Sequence, residues 1–276
     1  MDLYLAGAIS GGNIPRDIKS KFFEGEPMDI YLAGIWPWKN EGLYDETLSK
    51  GDLFVLESYY YVDEWTEKYI PRVAKFMLDS GAFTFMMQRK SGENINWDAY
   101  IERYAEFINR NNVELFFELD IDKIIGIKEV ERLRNRLEKL TGKQCIPVWH
   151  KYRGKDYFLR MCDEYKYVAL GGIVDEISPK EYKYFPWFID RAHERGCKIH
   201  GLGFTNLKGL EKCHFDSVDS TSWTSGNRFG TVYLFTGKTM IKKDRKENER
   251  MTNTKELALH NFNEWVKFQR YAENHL

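Results

Sequence analysis

Residues 215–230 read FDSVDSTSWTSGNRFG. Alternation puts Phe215, Ser217 and Asp219 on one face of a strand, with Asp216 and Val218 on the other. A strand that ends in an Asp and runs into a polar, glycine-containing loop is where an α/β barrel carries its chemistry. Taken alone the stretch also fits a capped turn, because Asp, Ser and Thr favour turns and helix N-caps. Similar strand ends upstream favour the barrel.

Working back from that strand, helical and apolar segments alternate. Residues 198–204 (KIHGLGF) read as a strand followed by a short helix over 206–213. Ser178-Pro179 opens a helix that runs to Arg195, with Pro in its first turn and Gly196 past its end. YVALGG (167–172) is a strand, preceded by a helix near 155–165 and the strand QCIPVWH (144–150). A charged helix covers 128–140 and ends at Gly142. The strand VELFFELDID (113–122) precedes it. Trp97, Tyr100, Ile101, Tyr104, Ala105 and Ile108 recur at helical spacing over 97–110. FMLDSG (76–81) reads as a strand, 64–75 as a helix and LFVLESYYY (53–61) as a strand. DIYLAG (29–34) begins the series and nearly repeats DLYLAG (2–7). Residues 35–50 read as an irregular, Trp-rich loop. Apolar runs alternating with helices imply βα units on a parallel sheet, and counting from DIYLAG gives eight strands. The expected fold is therefore an α/β (β/α)8 barrel of the TIM type, with an open doubly wound sheet as the alternative.

Downstream, TVYLF (231–235) reads as a further strand or an edge. Residues 238–250 form a basic run with interspersed acids, expected to be a solvated loop. A last helix over 254–274 buries Leu257, Phe262, Trp265, Val266 and Phe268. No linker rich in Pro, Gly or Ser interrupts the chain, so 1–276 is expected to be one domain.

The chain has 276 residues, 43% hydrophobic and 16% aromatic, enough for a large core. With 41 basic and 42 acidic residues the net charge is −1, so any polyanion must be met by a local patch. Cys145, Cys162, Cys197 and Cys213 form no CxxC pair and lie in or beside apolar stretches, as expected of reduced thiols in a cytoplasmic protein. No apolar run approaches the ~18 residues of a membrane span, and no signal peptide is recognisable.

The strand ends carry recurring words: Asp79–Thr84 (DSGAFT), Glu118–Asp122 (ELDID), Val148–His150 (VWH), Gly171-Gly172-Ile173, His200–Gly203 (HGLG) and the Asp219 loop. In order and spacing over residues 76–230, these resemble the tRNA-guanine transglycosylase superfamily. That family has DSGGFQ where this chain has DSGAFT, an Asp at the place of Asp120, and GGL at Gly171-Gly172-Ile173. It has MGVGTPEDL at His200–Leu207 and beyond, and VDMFD followed by an Arg- and Gly-containing loop at FDSVD, Arg228 and Gly230. The opening YLAGAISGG separately resembles the first strand and loop of nucleoside 2-deoxyribosyltransferases.

The superfamily resemblance implies an enzyme, a pentosyltransferase, and assigns roles. Asp219 would attack C1′ of a guanosine to form a covalent glycosyl-enzyme, with Asp216 as the alternative nucleophile. Asp79 would be general acid/base for the leaving or entering base. Asp120 would accept from the guanine-like edge, and Gly171 and Gly172 would admit the base close to the backbone. Phe83 and His200 would stack on the ring, His200 replacing a family Met. Ser80, His150 and Gly203 complete the substrate-binding set, Trp149 or His150 standing where the family has Gln. Arg228, with Lys242, Lys243, Arg245 and Lys246, would hold the nucleic acid. Singly, Asp79 and Asp120 also fit turn caps, Gly171-Gly172 helix–sheet packing, and His150 and His200 structural histidines.

One departure is informative. The tRNA enzymes carry a zinc-binding CxCxxC word beyond the last barrel strand, whereas no cysteine follows Cys213 here. The resemblance therefore implies no zinc subdomain, no metal and no other cofactor. It points to the phage and bacterial relatives, whose partners are DNA and a free 7-deazaguanine base. A tRNA substrate, a glycosidase or deoxyribosyltransferase acting on a small sugar, and an inactive nucleic-acid-binding module are the alternatives.

Overall fold

A computed structural model describes residues 27–35, 50–87, 95–173, 176–204, 206–210, 212–225, 230–244 and 254–276. The first DLYLAG copy, Arg228, Arg245 and Lys246 lie outside them. Eight strands form one parallel sheet: β1 (Asp29–Ala33), β2 (Phe54–Ser58), β3 (Lys75–Asp79), β4 (Leu115–Phe116), β5 (Val148–Trp149), β6 (Tyr167–Leu170), β7 (Lys198–Gly201) and β8 (Ser217–Ser220). Helices intervene, and the result is an α/β fold of the TIM-barrel type. The chain divides into two compact units, residues 1–32 with 149–276, and residues 33–148.

In the second of these, β2 pairs with β3 and β3 with β4, all parallel. A parallel bridge between Phe117 and Ile146 ties the β4 segment to the one leading into β5. Helix α1 (Glu64–Tyr69) starts at Asp63, whose carboxylate accepts from the Trp65 and Thr66 N–H groups. The sequence pattern carries this helix to Lys75, but Pro71 cannot donate into a helical ladder, and the chain tightens into a 3-10 turn over Ile70–Arg72. Helix α2 (Ala82–Met87) follows β3. Helices α3 (Trp97–Arg110) and, after the single turn α4 (Asp122–Ile125), α5 (Ile127–Thr141) supply the core. The first buries Tyr100, Ile101, Tyr104, Phe107 and Ile108, and the second Val130, Leu133 and Leu137. Each such aliphatic or aromatic side chain stabilises the fold by about 1.5–3 kcal/mol.

The strand expected over 113–122 is only two residues long. Beyond it the ladder is completed by a side chain. Glu118, fully buried, accepts the Val148 N–H at 2.8 Å through Oε1, and the Arg134 guanidinium of α5 lies 3.4 Å from Oε2.

In the other unit, β1 pairs with β8, β8 with β7 and β7 with β6. Helices α6 (Gly154–Glu164) and α7 (Phe185–His193) carry its outer layer. The helix expected from Ser178 begins as a 3-10 segment, Pro179–Tyr184, before α7 takes over. A short helix α8 (Leu207–Leu210) precedes β8. The basic run is not simply a loop. Met240–Lys243 forms β10, antiparallel to β9 (Val232–Phe235), and this hairpin packs on helix α9 (Thr254–His275). On α9, Phe262, Trp265, Val266 and Phe268 are buried and Leu257 is half-buried.

All four cysteines are free and buried. Among the described residues no helix is long and apolar enough to cross a membrane.

Candidate active site

The strand reading of FDSVD holds, and its alternation separates the two aspartates. Asp216 points toward α7: its Oδ2 is 2.9 Å from His193 Nε2 and accepts the Ile199 N–H at 2.7 Å. Asp219 points the other way, where its Oδ1 accepts the Gly203 N–H at 2.6 Å and lies 3.2 Å from His200 Nε2. Its side chain keeps 10% of its surface exposed. Gly203 makes this approach with φ 69°, a left-handed value that glycine adopts without a Cβ penalty. Among the described residues Asp219 Oδ2 has no hydrogen bond.

Behind Asp219 the polar contacts continue inward. His200 and Ser217 are register partners on adjacent strands, and His200 Nδ1 lies 2.5 Å from Ser217 Oγ. Ser217 Oγ lies 2.5 Å from the Tyr167 hydroxyl on β6. Burial pushes the Tyr167 phenol far above its ordinary value, so it stays protonated. His200 and Ser217 are both fully buried, and Tyr31 meets the imidazole edge-on at 6.3 Å. The stacking role expected of His200 is thereby corrected. Both ring nitrogens are engaged and neither face is open to a ligand.

Two more strand ends complete the picture in this unit. Trp149 is fully buried, donates from Nε1 to the Gly154 carbonyl at 2.8 Å, and packs on Phe158 and Phe188. Its ring faces the helix layer. His150 stacks on Tyr152, with centroids 5.5 Å apart and planes 15° apart, and its Nδ1 lies 3.2 Å from Glu176. Gly172 has φ +68°, and a Cβ there would come within 2.7 Å of the Glu176 side chain. Its glycine is thus required by its own turn, whose carbonyl accepts from the Glu176 and Ile177 N–H groups. Gly171 donates its N–H to the Trp149 carbonyl at 2.8 Å.

In the 33–148 unit, Asp79 ends β3, half-buried. Its Oδ2 accepts the Gly81 N–H at 2.9 Å, closing a tight turn. Gly81 has φ +64°, and a Cβ would lie 2.5 Å from the Tyr60 nitrogen. Ser80 is buried, and its carbonyl accepts from the Tyr100 hydroxyl at 2.5 Å. The DSGA turn is therefore built to hold Asp79 in one place. Burial, with the Asp79 charge nearby, pushes the Tyr100 and Tyr104 phenols well above their ordinary values and keeps them as donors. Asp120 is half-buried and Asp122 buried. Phe83 sits on α2, but its side chain lies outside the described set. A groove of about 670 Å³, lined by Glu67, Lys75, Arg110 and Glu114, lies at the N-terminal ends of β3 and β4, opposite the end that carries Asp79.

Sequence reasoning missed Tyr167, Ser217, Glu176 and Glu118. Ser217 alternates with Asp219, and that is its one local signal.

No family model matches the chain, and no curated protein matches it. Solved structures do. The carboxyl transferase domain of Rhizobium etli pyruvate carboxylase superposes with a TM-score of 0.44 at 11% identity, covering 71% of this chain and 40% of that one. A proposed fructose-1,6-biphosphate aldolase from Coccidioides immitis gives 0.45 at 10% identity, covering 90% and 88%. A GH113 β-1,4-mannanase gives 0.41 at 14%, covering 64% and 72%. The chain thus spans less than half of the carboxyl transferase structure. Likeness at these scores carries nothing about chemistry, and the fold assignment rests on the strand topology.

Proposed function

We propose that the protein is an enzyme, a guanine transglycosylase that exchanges guanine in DNA for a 7-deazaguanine such as 7-cyano-7-deazaguanine. The observation that carries this reading is Asp219, one residue before the end of β8, with Oδ1 fixed by two nitrogens and Oδ2 without a hydrogen bond among the described residues. It follows, in family order, Asp79, Asp120, Gly171-Gly172 and His200–Gly203.

In the first half-reaction Asp219 forms a bond to C1′ as the C1′–N9 bond breaks. The electron pair leaves with guanine, which takes a proton from Asp79. In the second, the incoming deazaguanine loses its N9 proton to Asp79. Its nitrogen then attacks C1′, and the ester bond to Asp219 breaks. Two displacements retain configuration, and neither needs an oxidant or a metal. Asp120 would accept from the donors on the guanine-like edge. The basic residues near the C-terminal hairpin would meet phosphates. DNA is the polymer in this reading, and tRNA is the alternative that the same chemistry would serve.

Mass spectrometry of nucleosides from the DNA and RNA of cells expressing the protein tests this directly. A deazaguanine deoxynucleoside that depends on Asp219 is expected. Modification of RNA alone would make tRNA the polymer, and modification of neither would sink the reading.

A further inference from the structure

We propose that His200 is the positioning residue of Asp219, locked by Ser217 and Tyr167 into the tautomer with its proton on Nε2. Asp219 Oδ1 is then tied down, and Oδ2 is the atom that reacts. This deepens the reading of Asp219 as nucleophile and rests on it.

The direction of every hydrogen bond follows from the Tyr167 end. Among the described residues, the Tyr167 hydroxyl has one hydrogen-bond partner, Ser217 Oγ at 2.5 Å. Tyr167 is half-buried, and its protonated hydroxyl, directed at the fully buried Ser217 Oγ, places its hydrogen there, because a donor left unmet at that inner end costs about 1–3 kcal/mol. Ser217 Oγ therefore accepts from Tyr167. Its own hydrogen has one remaining partner, His200 Nδ1, also at 2.5 Å. Nδ1 must accept, so the imidazole proton sits on Nε2. Nε2 faces Asp219 Oδ1 at 3.2 Å, and an ionised carboxylate only accepts. The Gly203 N–H reaches the same oxygen from the loop after β7. Four side chains and one peptide N–H thus have a single consistent order, Tyr167 to Ser217 to His200 to Asp219.

The order has a consequence for the reaction. Two donors on one oxygen fix the carboxylate's rotation about its Cβ–Cγ bond, which a solvated aspartate would sample. A nucleophile held at one angle needs no reorientation on the way to the transition state. The chain runs through three adjacent strands, so the angle is set by sheet register and not by a loop.

The test uses the full chain in two independent measurements. In the first, ¹⁵N spectra of histidine-labelled protein at neutral pH report which ring nitrogen carries the proton, and the His200 signal is identified by its loss in His200→Gln. Protonated Nε2 with an accepting Nδ1 is expected. A proton on Nδ1 overturns the proposal whether or not the protein exchanges bases.

The second measurement compares base exchange by two amide replacements. His200→Gln places its amide nitrogen where Nε2 was, within reach of Asp219. His200→Asn places its amide where Nδ1 was, within reach of Ser217 only. His200→Gln should keep kcat within about tenfold of wild type, while His200→Asn should lose about a hundredfold in kcat with KM little changed, the scale of a misplaced reacting group. Thermal unfolding of both variants is the control. Equal loss of kcat in the two variants, in proportion to lost stability, would reduce His200 to a packing residue and overturn the proposal. Wild type that exchanges no base refutes the transglycosylase reading, and the ¹⁵N result still decides the tautomer lock.

Discussion

Asp219→Asn keeps the shape of the side chain and removes the charge proposed to attack carbon. Base exchange and any covalent adduct seen by intact-mass spectrometry should vanish, while the unfolding midpoint stays close to wild type. Asp216→Asn should do the reverse. Its carboxylate is tied to His193 and to the Ile199 N–H, so the amide should cost about 1–3 kcal/mol of stability, read by urea denaturation, and leave turnover largely intact. A dead Asp216→Asn with an active Asp219→Asn would mean that the nucleophile is on the other face of the strand. The two residues are separable from sequence because period-two alternation is a local property. The partners of Asp219 are not. His200 and Ser217 meet because β7 and β8 pair in one register, and no pattern within either strand records that pairing. His200 therefore reads as a stacking group when its ring is in fact enclosed on every side.

Elements differ in how much of themselves they write into local sequence. Helix α3 is legible with its bounds, since six apolar positions at helical spacing define its buried face. Strands β4 and β5 are shorter than their apolar runs, because the backbone between them is satisfied by Glu118, a side-chain acceptor that mimics a ladder carbonyl. Its ion pair with Arg134 gives a test. Arg134→Met leaves a buried carboxylate uncompensated and should cost about 3–5 kcal/mol, while adding Glu118→Gln should restore part of that loss. A second test uses acid. Burial alone would raise the Glu181 carboxyl, but the Lys151 ammonium at 2.5 Å and the Ser178 N–H and hydroxyl outweigh it and hold its pKa below the ordinary value. A folded-state pKa below the unfolded one means that the pair's stabilisation is complete above the ordinary carboxylate range. It is lost as pH falls through the depressed value. Glu181→Gln should therefore lower stability near neutral pH and flatten its decline in acid, measured by denaturation across that range. An unchanged acid limb would show that the pair contributes nothing.

At the scale of the whole molecule a net charge of −1 has to be reconciled with the polyanionic partner proposed above. A chain near neutrality has no long-range attraction to offer, so the grip must be local. The basic run provides one candidate, and its structure changes what is expected of it. Lys242 and Lys243 are not on a loose loop but on β10, both exposed, and the Lys242 ammonium lies 3.2 Å from Asp244. Hairpin residues hold their charges at fixed spacing, with less conformational entropy to lose on binding than a solvated loop. Neutralising Lys242, Lys243, Arg245 and Lys246 together should weaken binding to DNA of every sequence. It should also reduce the slope of log affinity against log salt by about 0.7 for each single-strand phosphate that is no longer neutralised. Chemistry on a saturating substrate should change little, because the proposed role of these residues is to hold phosphates and not to act on the reacting atoms. The polymer should be single-stranded, bubbled or underwound, since C1′ transfer requires the base to leave the stack, at a cost of a few kcal/mol in an intact duplex. An unchanged salt slope in the neutralised variant would assign the hairpin to packing on α9 alone and move the phosphate grip elsewhere on the chain. A fall in kcat at saturation with the slope unchanged would instead tie the hairpin to the chemistry.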